Sequence, residues 1–498
     1  MFEALAGADA ATTALLLVGL LVAFGFEFVN GFHDTANAVA TVIYTRSMRP
    51  GAAVAWSGLW NALGVLHAST TGLVVAFSIV HLLPVDLLVT SGGGAGIAMV
   101  FSLLLAAVVW NLGTWLFGLP ASSSHALIGS VLGVGLAASW GNPAGFGSGV
   151  NWAKAGQVLL SLVVSPFIGF VAGAVLLMLA RRLFRKPELH EPARPDKRPP
   201  AGVRALLIGA CTGVSFAHGS NDGQKGIGLI MLILIGVLPA GFAVNLHSGP
   251  DDVAAAVSAI GRLDTVLAGE APAGRDHVEA GSAAGEDHAD WAHVRLTQAS
   301  FSGPVEALRQ ELDSVKRRLA AYGDLKRVPR DDRWALRVEI LRVRQAIVDY
   351  EAHHADTLSA DVRQVLQRER RHLTRLTEYA PGWVPLGVAL ALGLGTMIGW
   401  KRIVVTVGEK IGERPMSYAQ GTSAQLVTAG TILAADVAGA PVSTTHILSS
   451  AIAGSMAAGG SGLHASTLRS IALAWVLTLP ATLFLGAAFF LLSRALVG

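Results

Sequence analysis

Asn30-Gly31-Phe32-His33-Asp34-Thr35-Ala36-Asn37 interrupts a long apolar run, and His218-Gly219-Ser220-Asn221-Asp222-Gly223-Gln224-Lys225 answers it in the second half of the chain. A second phrase also recurs: Pro120-Ala121-Ser122-Ser123-Ser124-His125 returns as Pro441-Val442-Ser443-Thr444-Thr445-His446. One glycine-flanked polar phrase is as readily a loop between spans. Two phrases, repeated in the same order and carrying ionisable groups or hydroxyl clusters, point to a secondary transporter built from two structural repeats.

Composition sets the class. The 498 residues are 52% hydrophobic and only 14% charged, with a mean hydropathy of +0.53; soluble domains carry about 25% charged residues. Several apolar stretches exceed the length needed to cross about 30 Å of hydrocarbon, so the chain reads as a polytopic, all-α membrane protein. The net charge of +3 gives no reason to expect nucleic acid as a partner. Cys211 is the single cysteine, which excludes an internal disulfide and a cysteine-rich metal site. The first basic residue is Arg46, so the apolar run from Ala10 lacks the positive leader of a cleavable signal and reads as a retained span.

The apolar blocks run 10–46, 51–82, 95–118, 120–140 and 155–180, and resume at 203–246, 383–400, 417–436, 441–457 and 467–493. Residues 10–180 are therefore read as a first transmembrane repeat of about five hydrophobic segments. Residues 203–246 and 382–498 make the second. The linker 181–202 is basic, with seven Lys/Arg against three acids up to Pro200, and the positive-inside rule places it in the cytoplasm together with Arg46 and Arg49. An odd number of crossings per half would turn the second repeat upside down, and two inverted repeats with broken helices and re-entrant hairpins are the expected architecture.

Residues 247–381 are a different material. They hold 22 acidic and 19 basic residues, 41 of the chain's 71 formal charges, and cannot span. Val305, Leu308, Leu312, Val315 and Leu319 form one apolar helical stripe, and Trp334 to Tyr379 continues with helix formers, so a helical hairpin outside the bilayer is expected. Asp251 to Ser302, rich in Gly, Ala, Asp and His, reads as disordered. His277, His288 and His293 read as a solvated stretch, because no cysteine or fixed spacing supports a metal site.

An ionised aspartate at mid-membrane costs about 2.5–3.5 kcal/mol on insertion scales, so Asp34 and Asp222 each need a cation, a proton or a hydrogen-bonding partner. Gly31, Gly219, Gly223 and Gly226 are expected to let the helix unwind beside them. The Pro-x-Ser-[Ser/Thr]-[Ser/Thr]-His phrases read as helix starts inside the membrane, each aiming free N–H groups, a positive dipole end and three hydroxyls at a cavity. Ser122, Ser123, Ser124, Ser443, Thr444 and Thr445 are thus candidate ligands for a tetrahedral oxyanion. Ser124-His125 is no hydrolytic dyad: adjacent helical residues point about 100° apart, and no elbow motif is present. Glu27 and Asp436 are further acids within apolar runs.

These paired phrases resemble the duplicated signature of the inorganic phosphate transporter (PiT) family, whose first copy usually reads Gly-x-Asn-Asp-Val-x-Asn-Ala. Here the copies are Gly31-Phe32-His33-Asp34-Thr35-Ala36-Asn37-Ala38 and Gly219-Ser220-Asn221-Asp222-Gly223-Gln224-Lys225-Gly226. The likeness covers both membrane halves and extends to bacterial low-affinity permeases of the inner membrane. It implies symport of inorganic phosphate with protons, with neutral metal–phosphate complexes as further substrates and no resident cofactor. By the same resemblance Asp34, Asn37, Asn221 and Asp222 line a central site, the hydroxyl clusters hold phosphate, and Asp34 and Asp222 are candidates for a divalent metal accompanying it. A homodimer is a candidate assembly.

Two positions depart from that pattern: His33 stands where the signature has Asn, and Lys225 where the second copy commonly has Asn. Asp222 and Lys225 are neighbours on a continuous helical turn. A fixed ammonium there would occupy the place of a sodium ion and leave protons as the coupling ion, carried by His33 or Asp34. The alternatives are a permease for another tetrahedral anion such as sulfate, sodium-coupled phosphate transport, or a membrane receptor signalling through residues 247–381.

Overall fold

The computed structural model describes residues 9–82, 92–140, 145–193, 198–270 and 305–497. In chain order its principal helices are α1 (Ala10–Asp34), α2 (Ala36–Tyr44), α3 (Pro50–Thr71), α4 (Val74–Val80), α5 (Gly92–Leu116), α6 (Ser123–Ala138), α7 (Trp152–Leu183) and α8 (Ala201–Val237). They continue as α9 (Pro250–Glu270), α10 (Val305–Tyr322), α11 (Asp332–His353), α12 (Ala360–Thr377), α13 (Trp383–Thr396), α14 (Lys401–Glu409), α15 (Tyr418–Val437), α16 (Thr444–Gly459) and α17 (Ala465–Val497). No strand occurs among the described residues, only two isolated bridges. Five of the helical spans are long and apolar enough to cross a membrane, or up to seven if each of two bent pairs counts as one span.

The chain divides into two compact units, one centred on Leu234–Tyr379 and one holding Ala14–Leu88, Gly92–Ile233 and Ala380–Gly498. In the larger unit Leu21, Leu160, Phe167, Val476 and Phe484 are exposed, as a lipid-facing surface requires. Its interior is packed through glycine. A Cβ on Gly133 of α6 would lie 2.0 Å from Leu483 O of α17, and one on Gly454 of α16 would lie 2.0 Å from Phe170 O of α7. The hairpin helix of each half therefore packs on the last helix of the other half. Small residues let these backbones touch where lipid offers no hydrophobic drive between helices. α7 and α17 each carry a proline near the middle, Pro166 and Pro480.

The expected unwinding at the first pair of phrases does not occur. Thr35, between α1 and α2, has helical angles (φ −50, ψ −38), and its N–H donates to Gly31 O at 3.1 Å. α8 runs unbroken through the second phrase. The glycines serve close approach instead: a Cβ would meet Leu392 O at 2.4 Å from Gly31, Asn61 O at 2.0 Å from Gly219, and Val65 Cγ2 at 2.4 Å from Gly223. The breaks lie elsewhere. α3 and α4 meet at 85° beside Gly72 (φ 142), and α13 and α14 meet at 65° beside Gly399 (φ 74). Only glycine adopts such angles cheaply.

The smaller unit is a helical bundle rather than a hairpin. α9, α10, α11 and α12 share one core that includes Ile260, Leu312, Ile340 and Leu373. The reading of disorder from Asp251 is corrected over Pro250–Glu270, which is helical. Val253, Ala256, Ile260, Leu263 and Leu267 are its buried stripe at 3-4-3-4 spacing, and Pro250, Asp251 and Asp252 suit its first turn. Arg337 is fully buried there and donates to Ala243 O at 2.9 Å and Thr377 O at 2.6 Å. Burial pushes its guanidinium down to about 10. His277, His288 and His293 lie outside the described residues.

Candidate functional site

Both hydroxyl phrases end a segment and begin a helix in the same way. Ser122 is extended (φ −100, ψ 114) and its Oγ accepts from His125 N at 3.1 Å. Ser443 is extended (φ −94, ψ 105) and accepts from His446 N at 3.2 Å. These two hydroxyls cap α6 and α16. Ser123, Ser124, Thr444 and Thr445 occupy the first turns, where N–H groups have no intrahelical acceptor. The tips lie side by side: the His125 and His446 rings are 4.5 Å apart, His446 stacks on Trp475 at 4.0 Å, and Trp475 Nε1 donates to Pro120 O at 3.0 Å.

The aspartate phrases meet these tips. Asp34 accepts from Ser123 Oγ at 2.7 Å and from Thr445 Oγ1 at 2.9 Å, one hydroxyl from each tip. Asn37 Nδ2 donates to Thr444 Oγ1 at 3.2 Å and Thr445 Oγ1 at 2.9 Å. Lys225 Nζ lies 2.5 Å from Asp222 Oδ1 and donates to Ser124 Oγ at 2.6 Å and Val442 O at 3.0 Å. His33 sits 3.1 Å from both Asp34 Oδ1 and Thr114 Oγ1. Asn221 Nδ2 donates to Ala440 O at 3.3 Å, just before the second tip. All of these side chains are buried. Four segments far apart in sequence thus build one polar cluster, in which Ser122 and Ser443 are engaged as caps.

His218 was not singled out from sequence, yet it is central. Its Nε2 lies 3.2 Å from Asp222 Oδ2 and 3.7 Å from Asp34 Oδ2. Bond directions assign its protons. Thr396 Oγ1 donates to Leu392 O at 2.8 Å, so it accepts from Asn61 Nδ2 at 2.9 Å. Asn61 Oδ1 then faces His218 Nδ1 at 3.0 Å, and that nitrogen must donate. Nε2 is left between two carboxylates and needs its own proton to avoid repulsion. Asp436 accepts from Ser220 Oγ and from Gln224 Nε2 at 2.8 Å, and Glu27 is buried opposite Gly226.

Asp34 and Asp222 thus face the Lys225 ammonium and the His218 imidazole beside two helix N-termini. Such a place admits an oxyanion at the N-termini and Lys225. Asp34, His218 and Asp222 also each offer one ligand atom within 4.8 Å of the others, a nitrogen and oxygen set that fits a divalent cation. A cation and the Nε2 proton exclude each other there, because both need the same lone pair.

A profile of the Phosphate transporter family matches residues 30–486. The chain belongs to the phosphate transporter family. It is 42% identical to the low-affinity inorganic phosphate transporter PitA of Escherichia coli (strain K12), with 99% of both chains covered. It is 40% identical to PitB of the same organism over 100% of each chain. A low-affinity inorganic phosphate transporter of Buchnera aphidicola (subsp. Acyrthosiphon pisum) is 40% identical over 97% of each. A solved structure described as the sodium-dependent phosphate transporter covers 97% of this chain and 99% of its own, with a TM-score of 0.51 and 19% identity, which marks a shared fold. Members of this family are transporters, not enzymes, and the chain is a multi-pass membrane protein.

Proposed function

We propose that the chain imports inorganic phosphate across the bacterial inner membrane together with protons, by alternating access between two inverted repeats. One observation carries the reading: two capped half-helix starts, one per half, meet two aspartate phrases in a single buried cluster. The relatives' names supply the anion, and N-terminal dipoles, hydroxyls and Lys225 supply what a tetrahedral oxyanion needs. The inversion draws support from the exchange of hairpin helices, α6 on α17 and α16 on α7.

Coupling to protons rests on Lys225 and His218. The ammonium takes a carboxylate, a hydroxyl and a carbonyl oxygen, a donor set that would otherwise suit sodium. His218 Nε2, between Asp34 and Asp222, is placed to take and release the travelling proton. The Asp34, His218 and Asp222 triad can instead receive the metal of a neutral metal–phosphate complex, as cargo.

The test is labelled phosphate uptake by purified protein in liposomes under imposed gradients. A pH gradient alone is expected to drive uptake, and Asp34→Asn or Asp222→Asn is expected to abolish it with the protein still in the membrane. Uptake that needs sodium and ignores the pH gradient refutes the coupling, and equal displacement of phosphate by sulfate refutes the substrate.

A further inference from the structure

A cavity of about 1340 Å³ lies away from the buried cluster, and five arginines line it: Arg46, Arg49, Arg198, Arg204 and Arg414. They come from four separate stretches of chain, the turn after α2, the basic linker, the start of α8 and the loop after α14. Two acids, Glu409 and Glu413, also line it, so the arginines outnumber them. Among the described residues none of Arg46, Arg49, Arg198 and Arg414 is in an ion pair with an acid.

The turn that presents two of the arginines is built rather than loose. Arg46 is the one non-glycine residue with positive φ among the described residues, at 58°, a strained conformation that persists only where surroundings impose it. Those surroundings are visible. Thr45 Oγ1 donates to Thr41 O at 2.7 Å, Ser47 N donates to Val42 O at 2.9 Å, and Arg204 Nε clamps Ser47 O at 2.8 Å. Arg49 then precedes α3, whose N-terminus has no side-chain cap. Like charges held together this way, beside an uncapped helix start, lower in energy when an anion neutralises them.

We propose that this cavity is a second oxyanion site, in which phosphate gathers on the cytoplasmic face before or after it occupies the buried cluster. The inference rests on the transport reading above. The side follows from the basic linker that contributes Arg198. α2 joins the two places: Asn37 at its start reaches the hairpin tips, and Tyr44 at its end lines the cavity, about 10 Å further along the axis at 1.5 Å per residue. An anion here would bridge arginines of the first half to Arg414 of the second.

The test substitutes Arg46→Gln, Arg49→Gln and Arg414→Gln together, sparing Arg204, and presents phosphate to each face in turn with everted and right-side-out vesicles. At low ionic strength the half-saturating phosphate concentration at the arginine face is expected to rise on the order of tenfold, the low end for electrostatic focusing. The maximal rate and the opposite face should keep their wild-type values. The gap should close at high salt, and the corresponding Arg→Lys triple should restore the wild-type value. An unchanged constant, or an equal loss at both faces, overturns the proposal. A defect confined to vesicles containing phosphatidylglycerol, and missing in phosphatidylcholine, assigns the cavity to a lipid headgroup instead. Should the wild type move no phosphate from either face, the transport reading fails. Binding of labelled phosphate to the detergent-solubilised wild-type protein then decides the cavity, because the arginine triple should abolish that binding.

Discussion

Replacing Lys225 separates its charge from the space it fills. Lys225 Nζ touches Asp222 Oδ1 at 2.5 Å, Ser124 Oγ at 2.6 Å and Val442 O at 3.0 Å, with side-chain exposures of 3% for the lysine and 1% for the aspartate. Removing one partner of a buried pair costs roughly 3–5 kcal/mol, because the other charge stays uncompensated. His218 remains 3.2 Å from Asp222, so the lower end, about 3 kcal/mol, is expected. Lys225→Met fills the space without charge and should bear that loss in any salt. Lys225→Asn vacates the space and leaves carboxylate, hydroxyl and carbonyl oxygens facing it, to which the amide adds a fourth. Sodium should therefore bind the Asn variant, restoring about 1.4 kcal/mol at ten times its dissociation constant. The assay is thermal unfolding in detergent, titrated with sodium chloride against choline chloride at fixed ionic strength. A 3 kcal/mol loss lowers the midpoint by roughly 3 °C in a chain of this size. Wild-type midpoints in both variants, or equal rescue of both by sodium, would refute the view that this ammonium stands in a cation's place.

Gly219→Ala would drive a Cβ to 2.0 Å from Asn61 O, so a shift of α8 from α3 is required and a loss of about 1–3 kcal/mol is expected. Gly430→Ala meets nothing within 4 Å and should keep the wild-type midpoint in the same thermal assay. In the helical unit, Arg262 Nη2 lies 2.6 Å from Glu369 Oε2, and that hydrogen bond holds the Glu369 carboxyl below its usual value. A depressed acid contributes stability above its unfolded value and loses it as pH falls through the folded one. Limited proteolysis at descending pH should therefore open Leu234–Tyr379 in acid, and Glu369→Gln should flatten that pH dependence.

Much of the site could be read from sequence because its parts are repeated phrases in apolar surroundings. Asp34, Asp222 and both hydroxyl clusters are conspicuous where lipid is expected, and Lys225 stands out by its departure from the family signature, with helical spacing pairing it to Asp222. The same spacing rule reaches His218, which precedes Asp222 by one turn and stands at the head of the second phrase. Its partner Asn61, and Thr396 that orients Asn61, are hidden, since nothing local ties them to either phrase. The helix through Gly219 was misjudged for a related reason. Glycine signals either a loosened backbone or a close neighbour, and only the position of Asn61 O decides between them. Gly72 and Gly399, which do mark breaks, are single residues within apolar runs and carry no pattern. In the insertion the stripe Val253, Ala256, Ile260, Leu263 and Leu267 was present, but acidic and small residues around it outweighed it.

The wiring of the cluster constrains how it can open. Asp34 is bonded by Ser123 of the first tip and Thr445 of the second, and Lys225 by Ser124 of the first tip and Val442 of the second. Each charged residue therefore holds both tips at once. The tips are tied to each other independently, through the His125 and His446 rings and the bond from Trp475 to Pro120. Parting the tips would break the bonds of Asp34 and Lys225 together and those ties besides. Moving the tips as one body against α1, α2 and α8 keeps those ties and exchanges the bonds to Asp34 and Lys225 together with those of Asn37 and Asn221. Those are the bonds an arriving oxyanion can replace, since it accepts from the same hydroxyls that now donate to Asp34. The exchange of hairpin helices between the halves is consistent with that division, because α17 beneath one tip and α7 beneath the other come from opposite halves. Lys225 is accordingly the sensitive position: among the described residues it is the side chain that both pairs with Asp222 and spans both tips, and its substitution reports on those bonds together.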